Sequence, residues 1–528
     1  MAATDQLAGG RASRRTVLRA GLAAGALLAL PGCVTSASGR GSGGRGSPFT
    51  LGVASGEPAP DGVVLWTRLA VDPLAEDGLG GLGTGRHDVE WELATDERFA
   101  RVEQRGVVST GPEVGHSVHV ELGGLQPGHE YHYRFRALGE LSPAGRTRTA
   151  PAPDASAPLT MCFASCAQYE HGYFTAYTRI AEEEPDLVLH LGDYLYEEDP
   201  GAYRLPGGSV RQHIGRETVT LADYRRRHAQ YRSDTDLQAA HAVAPWVVVW
   251  DDHEVEDDWA GFTRDVPEYP PGPFPPRRAA AFQAYWENMP LRSAQRPNGQ
   301  YLQLYRRIGW GATATFHMLD TRQYRDDQAC GEQLDCAARA DPGRTLPGLA
   351  QERWLAEGLR SSRTRWDVLG QQVFFAQLDL VPGAGRGFNN DVWDGYPASR
   401  DRVVDSWVAA GIRNPVVLTG DIHSHWAADI RRRWDDPEAP TVGTELVTSS
   451  ISAGGDGSET TDTSPGLLAE NPHIRFFNNR RGYVRTRFTD TELTADFRVL
   501  PHVQRPGAPA ETRATFVIED RRPGLQSA

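Results

Sequence analysis

Residues 187–196 read LVLHLGDYLY, a short apolar run that ends in Gly-Asp and continues into a segment with two tyrosines. A Leu/Val-rich run of this length, closed by a turn residue, is typical of a strand buried on both faces. Runs of the same kind alternate with segments of helical pattern, such as 174–184 and 278–288. This alternation indicates an α/β core, in which ligands gather at the carboxyl ends of the strands.

Three further apolar runs end in side chains that can hold metal ions. Residues 159–163 lead to Ser-Cys166, residues 246–250 to the sequence DDHE at 251–254, and residues 416–419 to the sequence GDIHSH at 420–425. Each of these turns alone is a common loop sequence. Their recurrence after successive strands predicts one shared pocket, and its carboxylates, imidazoles and thiol predict a two-metal hydrolytic site.

These motifs carry a family resemblance. The patterns strand-GDxxY, strand-DDHE and strand-GDxH, preceded by Ser-Cys, resemble the metallophosphatase signature of the alkaline phosphatase D (PhoD-like) family. The resemblance covers nearly the whole chain, including AYWENMP at 284–290, LDTR at 319–322 and RGY at 481–483. It implies a multi-domain α+β fold, with an N-terminal fibronectin-III-like antiparallel β-sandwich followed by a two-sheet, αββα-type metallophosphatase core.

The resemblance also implies two metal ions, Fe³⁺ and Ca²⁺. The iron would be held by Cys166, Asp193, Tyr196 and His423, and the calcium by Asp252 and Asp421, with Asp193 bridging toward it. The side-chain chemistry agrees with this division. A thiolate, a phenolate, a carboxylate and an imidazole suit a high-valent transition metal, whereas a site built from carboxylates suits a hard cation such as calcium.

The resemblance assigns catalytic roles to His253 and Asp193. His253 would face the substrate phosphate and supply a proton or hydrogen bond, while Asp193 would support in-line attack by a metal-activated water. His425 and Arg322 are predicted substrate contacts, with an exposed loop residue and a plain ion pair as the respective alternatives. The glutamine pair 371–372 stands where many metallophosphatases have a histidine, and would either bind calcium weakly or frame the pocket.

The region before the predicted core has a different pattern. Residues 49–148 contain short runs of alternating polarity separated by turns, such as 63–67 and 131–135, as in an antiparallel β-sandwich. The Pro/Ala-rich stretch 151–158 marks a boundary. The predicted division is a signal peptide and Gly/Ser-rich tether at 1–47, a β-sandwich domain at 48–150, a linker at 151–158 and a catalytic domain at 159–528.

The N-terminal 47 residues predict an export signal. Arg14 and Arg15 precede the apolar run 20–30, which is too short to span a bilayer as a stable helix. This order is typical of the twin-arginine pathway, so we expect the twin-arginine export machinery as a partner and a secreted mature protein. Two alternatives stay open: cleavage near residues 35–37, and lipid attachment at Cys33 that anchors the protein at the cell surface.

The composition excludes several functions. The chain has 528 residues and a net charge of −14, and its 55 basic residues are all Arg. Lysine Schiff bases and Walker-type phosphate loops are therefore excluded. The first 47 residues contain six Arg and one Asp, a net +5, so the remainder carries about −19. Such a surface disfavours a nucleic-acid partner.

The cysteines divide into two kinds. Cys330 and Cys336 lie in a polar segment rich in Asp and Gly, and in an oxidising compartment we expect them to form a small-loop disulfide. A free pair is the alternative. Cys162 lies within an apolar run and is predicted to be a buried core thiol rather than a ligand.

The predicted function is hydrolysis of small-molecule phosphate mono- and diesters. The first alternative is a phospholipase D-like phosphodiesterase acting on phospholipids, because some members of the PhoD-like family, which the motifs resemble, cleave phospholipid head groups. Tryptophans in predicted loops would then bind acyl chains, unless they are packing anchors. A surface-binding protein with a degenerate metal site is the non-enzymatic alternative. We expect a monomer, and whether residues 262–276 cover the site as a lid is left open.

Overall fold

The structure is a computed structural model that describes residues 46–264, 273–436 and 438–527. The predicted export signal and tether, including Cys33, lie outside the described residues except for the last two positions. Most of residues 262–276, for which a lid was left open, also lie outside them. Within the described ranges, no helix is both long and apolar enough to cross a membrane.

The strands are numbered in chain order. They are β1 Val53–Ala59, β2 Gly62–Arg68, β3 His87–Ala94, β4 Val102–Thr110, β5 Ser117–Leu122, β6 Glu130–Ala137, β7 Glu140–Leu141, β8 Gly145–Arg148, β9 Leu159–Ala164, β10 Leu187–Leu191, β11 Pro245–Val249, β12 Arg306–Trp310, β13 Ala314–Met318, β14 Trp366–Gly370, β15 Pro415–Thr419, β16 His425–Arg431, β17 Thr441–Val447, β18 Ile474–Asn478, β19 Gly482–Phe488, β20 Glu492–Val499, β21 Glu511–Glu519 and β22 Arg522–Ser527.

The α-helices are numbered in the same way. They are α1 Thr175–Glu182, α2 Leu221–Arg232, α3 Thr235–Val243, α4 Phe274–Asn288, α5 Leu349–Ser361, α6 Pro397–Ala410 and α7 Ser464–Glu470. Local signals set several of their ends. Thr220 and Asp223 form a capping box at the start of α2, and Gly411 ends α6 in the left-handed conformation that glycine adopts at low cost.

Two large sheets make up most of the described chain. The first has ten strands in the order β22-β21-β20-β19-β9-β10-β11-β1-β2-β5, and β9, β10 and β11 run parallel at its centre. The second has seven strands in the order β12-β13-β14-β15-β17-β16-β18, with β13, β14, β15 and β17 parallel. The buried-type runs predicted from the sequence are therefore central strands of these two sheets.

The two sheets pack face to face. Phe488 of β19 makes edge-to-face contacts with Phe316 of β13 and Trp366 of β14, at centroid distances of 6.0 Å each. The opposite face of the first sheet meets helices, since His190 of β10 is hydrogen-bonded to Tyr177 of α1 at 2.9 Å. Because the first sheet is covered by the second sheet on one face and by helices on the other, residues 187–191 are apolar almost throughout.

The N-terminal strands form a sandwich that shares a sheet with the core. The five-stranded sheet β4-β3-β6-β7, with β8 paired to β6, packs its apolar face on β1, β2 and β5. β1 in turn pairs in parallel with β11, so one layer of this sandwich continues into the ten-stranded sheet. The division of the chain at 151–158 into two domains stays a prediction. The hydrogen bonds between β1 and β11 join the parts of the chain before and after this division.

Candidate metal centre

The central strands of the first sheet end in tight, strained turns. Cys166 follows β9 and Asp193 follows β10, and both adopt positive φ, 61° and 51° respectively. The Cys166 amide donates to the Gly192 carbonyl at 3.1 Å, which ties the two turns together. Non-glycine residues with positive φ are uncommon and cluster at functional sites. The fold thus holds these two side chains in an unusual backbone conformation at one edge of the sheet.

Four predicted ligands of the first ion come together. Ligand atoms of Cys166, Asp193 and His423 lie within 4.8 Å of one another. The Tyr196 hydroxyl is 3.2 Å from Oδ2 of Asp193 and 2.9 Å from Nε2 of His423. Cys166, Asp193 and Tyr196 follow strands of the first sheet, whereas His423 follows β15 of the second. The cluster therefore spans the facing edges of both sheets rather than one edge of a single sheet.

A second group of ligand atoms shares Asp193. Asp193, Asp252 and His253 also approach within 4.8 Å of one another. Asp421 is in neither group, but its backbone carbonyl oxygen lies 3.8 Å from Sγ of Cys166. Burial and the charge of Asp251 raise the pKa of Asp421 well above its usual value. Asp193 is the residue common to both groups, which is the arrangement expected for a bridging carboxylate.

The donor atoms fit a pair of cations. Burial and mutual negative charge raise the pKa values of Cys166, Asp193 and Tyr196 well above their usual ranges, so in the metal-free chain these groups resist ionisation. Oδ1 of Asp193 is buried and accepts no hydrogen bond from the described residues. Buried anionic groups of this kind are stable when they coordinate metals. The chemistry of the set, with thiol, phenol, imidazole and carboxyl groups, meets this requirement.

His253 lies beside this cluster in a fixed orientation. Its Nδ1 is 2.7 Å from Oε2 of Glu197, and both side chains are almost fully buried. The carboxylates of Glu197, Asp252 and Asp193 raise the pKa of His253 well above its usual value. Its ring packs on Tyr196 with centroids 4.0 Å apart. Glu197 thus orients the imidazole and favours its protonated form.

Arg322 is enclosed by acidic side chains. Its Nε donates to Asp251 at 2.5 Å and its Nη1 to Asp391 at 2.8 Å. Carboxylate oxygens of Asp252 and Asp258 lie 3.7 Å from the guanidinium. The side chain has no exposed surface. Substrate binding by Arg322 stays a prediction, and this geometry favours the alternative of an ion pair that holds the acidic residues together.

His425 and the glutamine pair 371–372 are also buried. His425 begins β16, its Nδ1 accepts from the Ser449 amide at 3.0 Å, and burial lowers its pKa to about 3. A buried neutral imidazole is a weak partner for phosphate, so substrate contact by His425 stays a prediction without support from its position. The amides of Gln371 and Gln372 bond to neighbouring backbone and side-chain groups, including Trp393.

Two buried residues near the site had no role assigned from the sequence. Arg481 donates to the carbonyls of His423 and Ala453 and so fixes the loop that carries a predicted ligand. Glu197 contacts His253 across 56 positions of the chain. The only local signal for Glu197 is its position one residue after Tyr196. Arg481 lies in the RGY motif at 481–483, which carries the family resemblance but does not indicate this contact.

The predicted disulfide is present and lies next to the acidic cluster. Cys330 and Cys336 are bonded, and Cys162 and Cys166 are free and buried. Asn390 donates to the carbonyls of Gly331 and Gln333 inside the disulfide loop, at 3.0 and 2.8 Å. The next residue is Asp391, the partner of Arg322. The disulfide loop therefore supports the segment that supplies this carboxylate.

We expect the double substitution Cys330→Ser and Cys336→Ser to lower the stability of the folded protein by about 2 kcal/mol, because a small closed loop is lost. Thermal unfolding and limited proteolysis measure this effect, and new cleavage sites should fall between residues 326 and 391. Wild-type protein treated with a reductant should match the variant. Equal melting temperatures for oxidised and reduced wild type would contradict the prediction.

Comparison with known proteins finds two matching family profiles. The profile described as "PhoD-like phosphatase" matches residues 161–497, and the profile described as "PhoD-like phosphatase, N-terminal domain" matches residues 35–151. The first match includes all the predicted ligands. Together the two profiles leave only the chain ends and a short stretch near the predicted linker unmatched.

Two relatives extend the match to nearly the full chain. Alkaline phosphatase D of Bacillus subtilis (strain 168) is 50% identical over 484 residues, which cover 91% of this chain and 82% of that protein. A solved structure of PhoD superposes with a TM-score of 0.89 at 48% identity, covering 92% of this chain and 93% of that one. The resemblance seen in the sequence motifs is thereby confirmed: the protein is a phosphoric ester hydrolase, and the chain belongs to the PhoD-like phosphatase family.

Proposed function

We propose that the protein is an exported, metal-dependent alkaline phosphatase and phosphodiesterase with a two-sheet metallophosphatase core. The observation that carries this proposal is the convergence of Cys166, Asp193, Tyr196 and His423, with Asp193 shared by a second group around Asp252. Neither sheet alone supplies this set. Packing of the two sheets creates the site, and the family match supports phosphoric esters as its substrates.

The donor types support Fe³⁺ in the first position and Ca²⁺ in the second. Cys166, Asp193, Tyr196 and His423 would hold the iron, and Asp193, Asp252 and Asp421 would hold the calcium. When bound, the two cations would neutralise the charge of the phosphoryl oxygens and lower the pKa of the attacking water. Burial of the site strengthens these electrostatic interactions by excluding bulk water.

The side chains around the ions have separate tasks. Asp193, held by its strained turn, would be the carboxylate shared by the two cations. His253, oriented by Glu197, would donate a proton or hydrogen bond to the leaving oxygen. Since no protein nucleophile is needed, attack by water in line with the leaving group would invert the configuration at phosphorus.

Small esters suit the structure better than lipids. Of the tryptophans that the phospholipase alternative would use to bind acyl chains, Trp259, Trp393 and Trp426 are fully buried, and Trp434 is partly buried against the core. Buried rings of this kind stabilise packing and offer no surface to an acyl chain. We therefore propose soluble phosphate mono- and diesters as substrates and keep phospholipids as an outcome of the assay below.

The location of the protein follows from the N-terminal sequence. We propose export by the twin-arginine pathway, secretion of a monomer, and either cleavage near residues 35–37 or anchoring through a lipid on Cys33. A disulfide between Cys330 and Cys336 supports an oxidising compartment. Mass determination of the mature protein distinguishes a cleaved chain from a lipidated one.

The assay that tests this function compares p-nitrophenyl phosphate, bis-p-nitrophenyl phosphate and phosphatidylcholine, with calcium present and then chelated. We expect calcium-dependent hydrolysis of the first two by iron-containing protein. Chelation should abolish turnover, and added calcium should restore it. Cleavage of the lipid alone would favour the phospholipase alternative. Inactive protein without bound metal would contradict the proposal and favour a degenerate site.

A further inference from the structure

The turns that follow β10 and β11 approach each other unusually closely. Gly192 has φ of 106°, and a Cβ added there would lie 2.4 Å from Cβ of Asp251 and 2.7 Å from its backbone nitrogen. Such a distance is far inside van der Waals contact, so only glycine fits at this position. The close approach brings the turn that carries Asp193 against the turn that carries Asp252.

Glu254 joins these two turns through their backbone. Its Oε2 accepts from the amides of Asp193 at 3.0 Å and Asp251 at 2.8 Å, and its Oε1 accepts from the amide of Tyr194 at 2.5 Å. The residue is 1% exposed. Hydrogen bonds from backbone amides to a buried carboxylate are among the stronger ones in proteins.

These three bonds act on the part of the backbone that sets the second cation position. Asp193 adopts positive φ and would lose the acceptor of its own amide if Glu254 were absent. Asp251 adjoins Asp252, the proposed calcium ligand supplied by the β11 turn. The separation between the Asp193 and Asp252 carboxylates therefore depends on the position of one side chain that touches neither of them.

We propose that Glu254 is a positioning residue that links the β10 and β11 turns and thereby sets the affinity of the second cation site. This inference rests on the proposed function, since it assumes that Asp193 and Asp252 share a cation. Glu254 acts through backbone amides of the two turns rather than through a reacting atom. One of these amides belongs to Asp193, the proposed ligand of both ions.

The test uses Glu254→Gln in the iron-containing protein. The amide group of Gln has one acceptor oxygen and one NH₂ group, so at least one of the three backbone amides would face a donor. We expect the calcium dissociation constant, measured by calorimetric titration, to rise by about 10- to 100-fold, as is typical when a residue supporting metal ligands is lost. The tyrosinate-to-iron absorption band should persist.

A second readout does not depend on calcium. In calcium-depleted protein, amide hydrogen exchange of peptides containing residues 193, 194 and 251 should accelerate in Glu254→Gln. Glu254→Asp, which keeps the carboxyl group but is one methylene shorter, should give an intermediate result and replaces the Gln variant if that one does not fold. The matched control is Asp379→Asn, because Asp379 is a buried carboxylate that accepts from the amides of Val381 and Gly387.

The outcomes separate this inference from the proposed function. Weaker calcium binding and faster exchange in Glu254→Gln, with both unchanged in Asp379→Asn, support the positioning role. Unchanged calcium affinity in Glu254→Gln, with wild-type exchange rates, overturns it. Wild-type protein that binds no calcium would instead contradict the proposed function, and the exchange rates would still decide whether Glu254 links the two turns.

Discussion

Replacing Asp193 by Asn should reduce kcat by about 10³-fold or more while the protein stays folded. The substitution keeps the size of the side chain but removes the negative charge that both cation positions share. Loss of a bridging ligand removes several kcal/mol of transition-state stabilisation, and each 1.4 kcal/mol corresponds to about tenfold in rate. Steady-state kinetics, metal analysis and circular dichroism on the same preparation measure the effect.

The matched control for this variant is Asp367→Asn. Asp367 is also a buried aspartate at a central strand, but its carboxylate pairs with His317 on β13 and touches no predicted ligand. It should lower the melting temperature and leave kcat and metal content unchanged. A fully active Asp193→Asn protein would contradict the bridging role of Asp193, whatever the control shows.

Replacing His253 by Asn should reduce kcat by about 10²- to 10⁴-fold for substrates with poor leaving groups, the range expected for a lost general acid. An alkyl alkoxide needs a proton as it leaves, whereas p-nitrophenolate is stable without one. The loss should therefore be large for an alkyl phosphate and small for p-nitrophenyl phosphate. Rates on the two substrates with saturating calcium measure this difference.

The control for His253 is His317→Asn, which removes a buried histidine with the same kind of carboxylate partner, Asp367 at 3.0 Å. It should not change the ratio of rates on the two substrates. Glu197→Gln leaves His253 in place but removes its carboxylate partner. It should also reduce the rate more on the alkyl phosphate than on p-nitrophenyl phosphate, but by less than His253→Asn does. Equal losses on both substrates in His253→Asn would contradict proton donation to the leaving oxygen.

The features of the site that were predictable from the sequence are local ones. Cys166, Asp193 and Asp252 each follow an apolar run by a few residues, so strand and ligand are read from one continuous stretch. The extents of the central strands were also close to the observed ones, because parallel strands buried on both faces appear as continuous apolar runs. The pairing of Cys330 with Cys336 was readable from their short separation in a polar segment.

The features that were not predictable depend on contacts between distant parts of the chain. Pairing of β1 with β11 joins the N-terminal sandwich to the core, and no local pattern specifies it. Glu197 contacts His253, and Glu254 contacts the amides of Asp193 and Tyr194, only after the sheets form. Substrate contact by His425 and Arg322 stays a prediction, and the enclosure of both side chains by packing could not be read from the sequence. The position of a residue in the sequence indicates whether it lies near the site. Its burial and hydrogen bonds in the folded protein determine what its side chain does there.

The two-cation site is tested most directly by a crystal structure of the purified mature protein, with anomalous scattering recorded at the iron absorption edge and calcium in the buffer. We expect an iron peak bonded to Cys166, Asp193, Tyr196 and His423, and a calcium ion on the other side of Asp193 near Asp252. Iron bound elsewhere, or an ordered metal-free cluster in active protein, would contradict the proposed site.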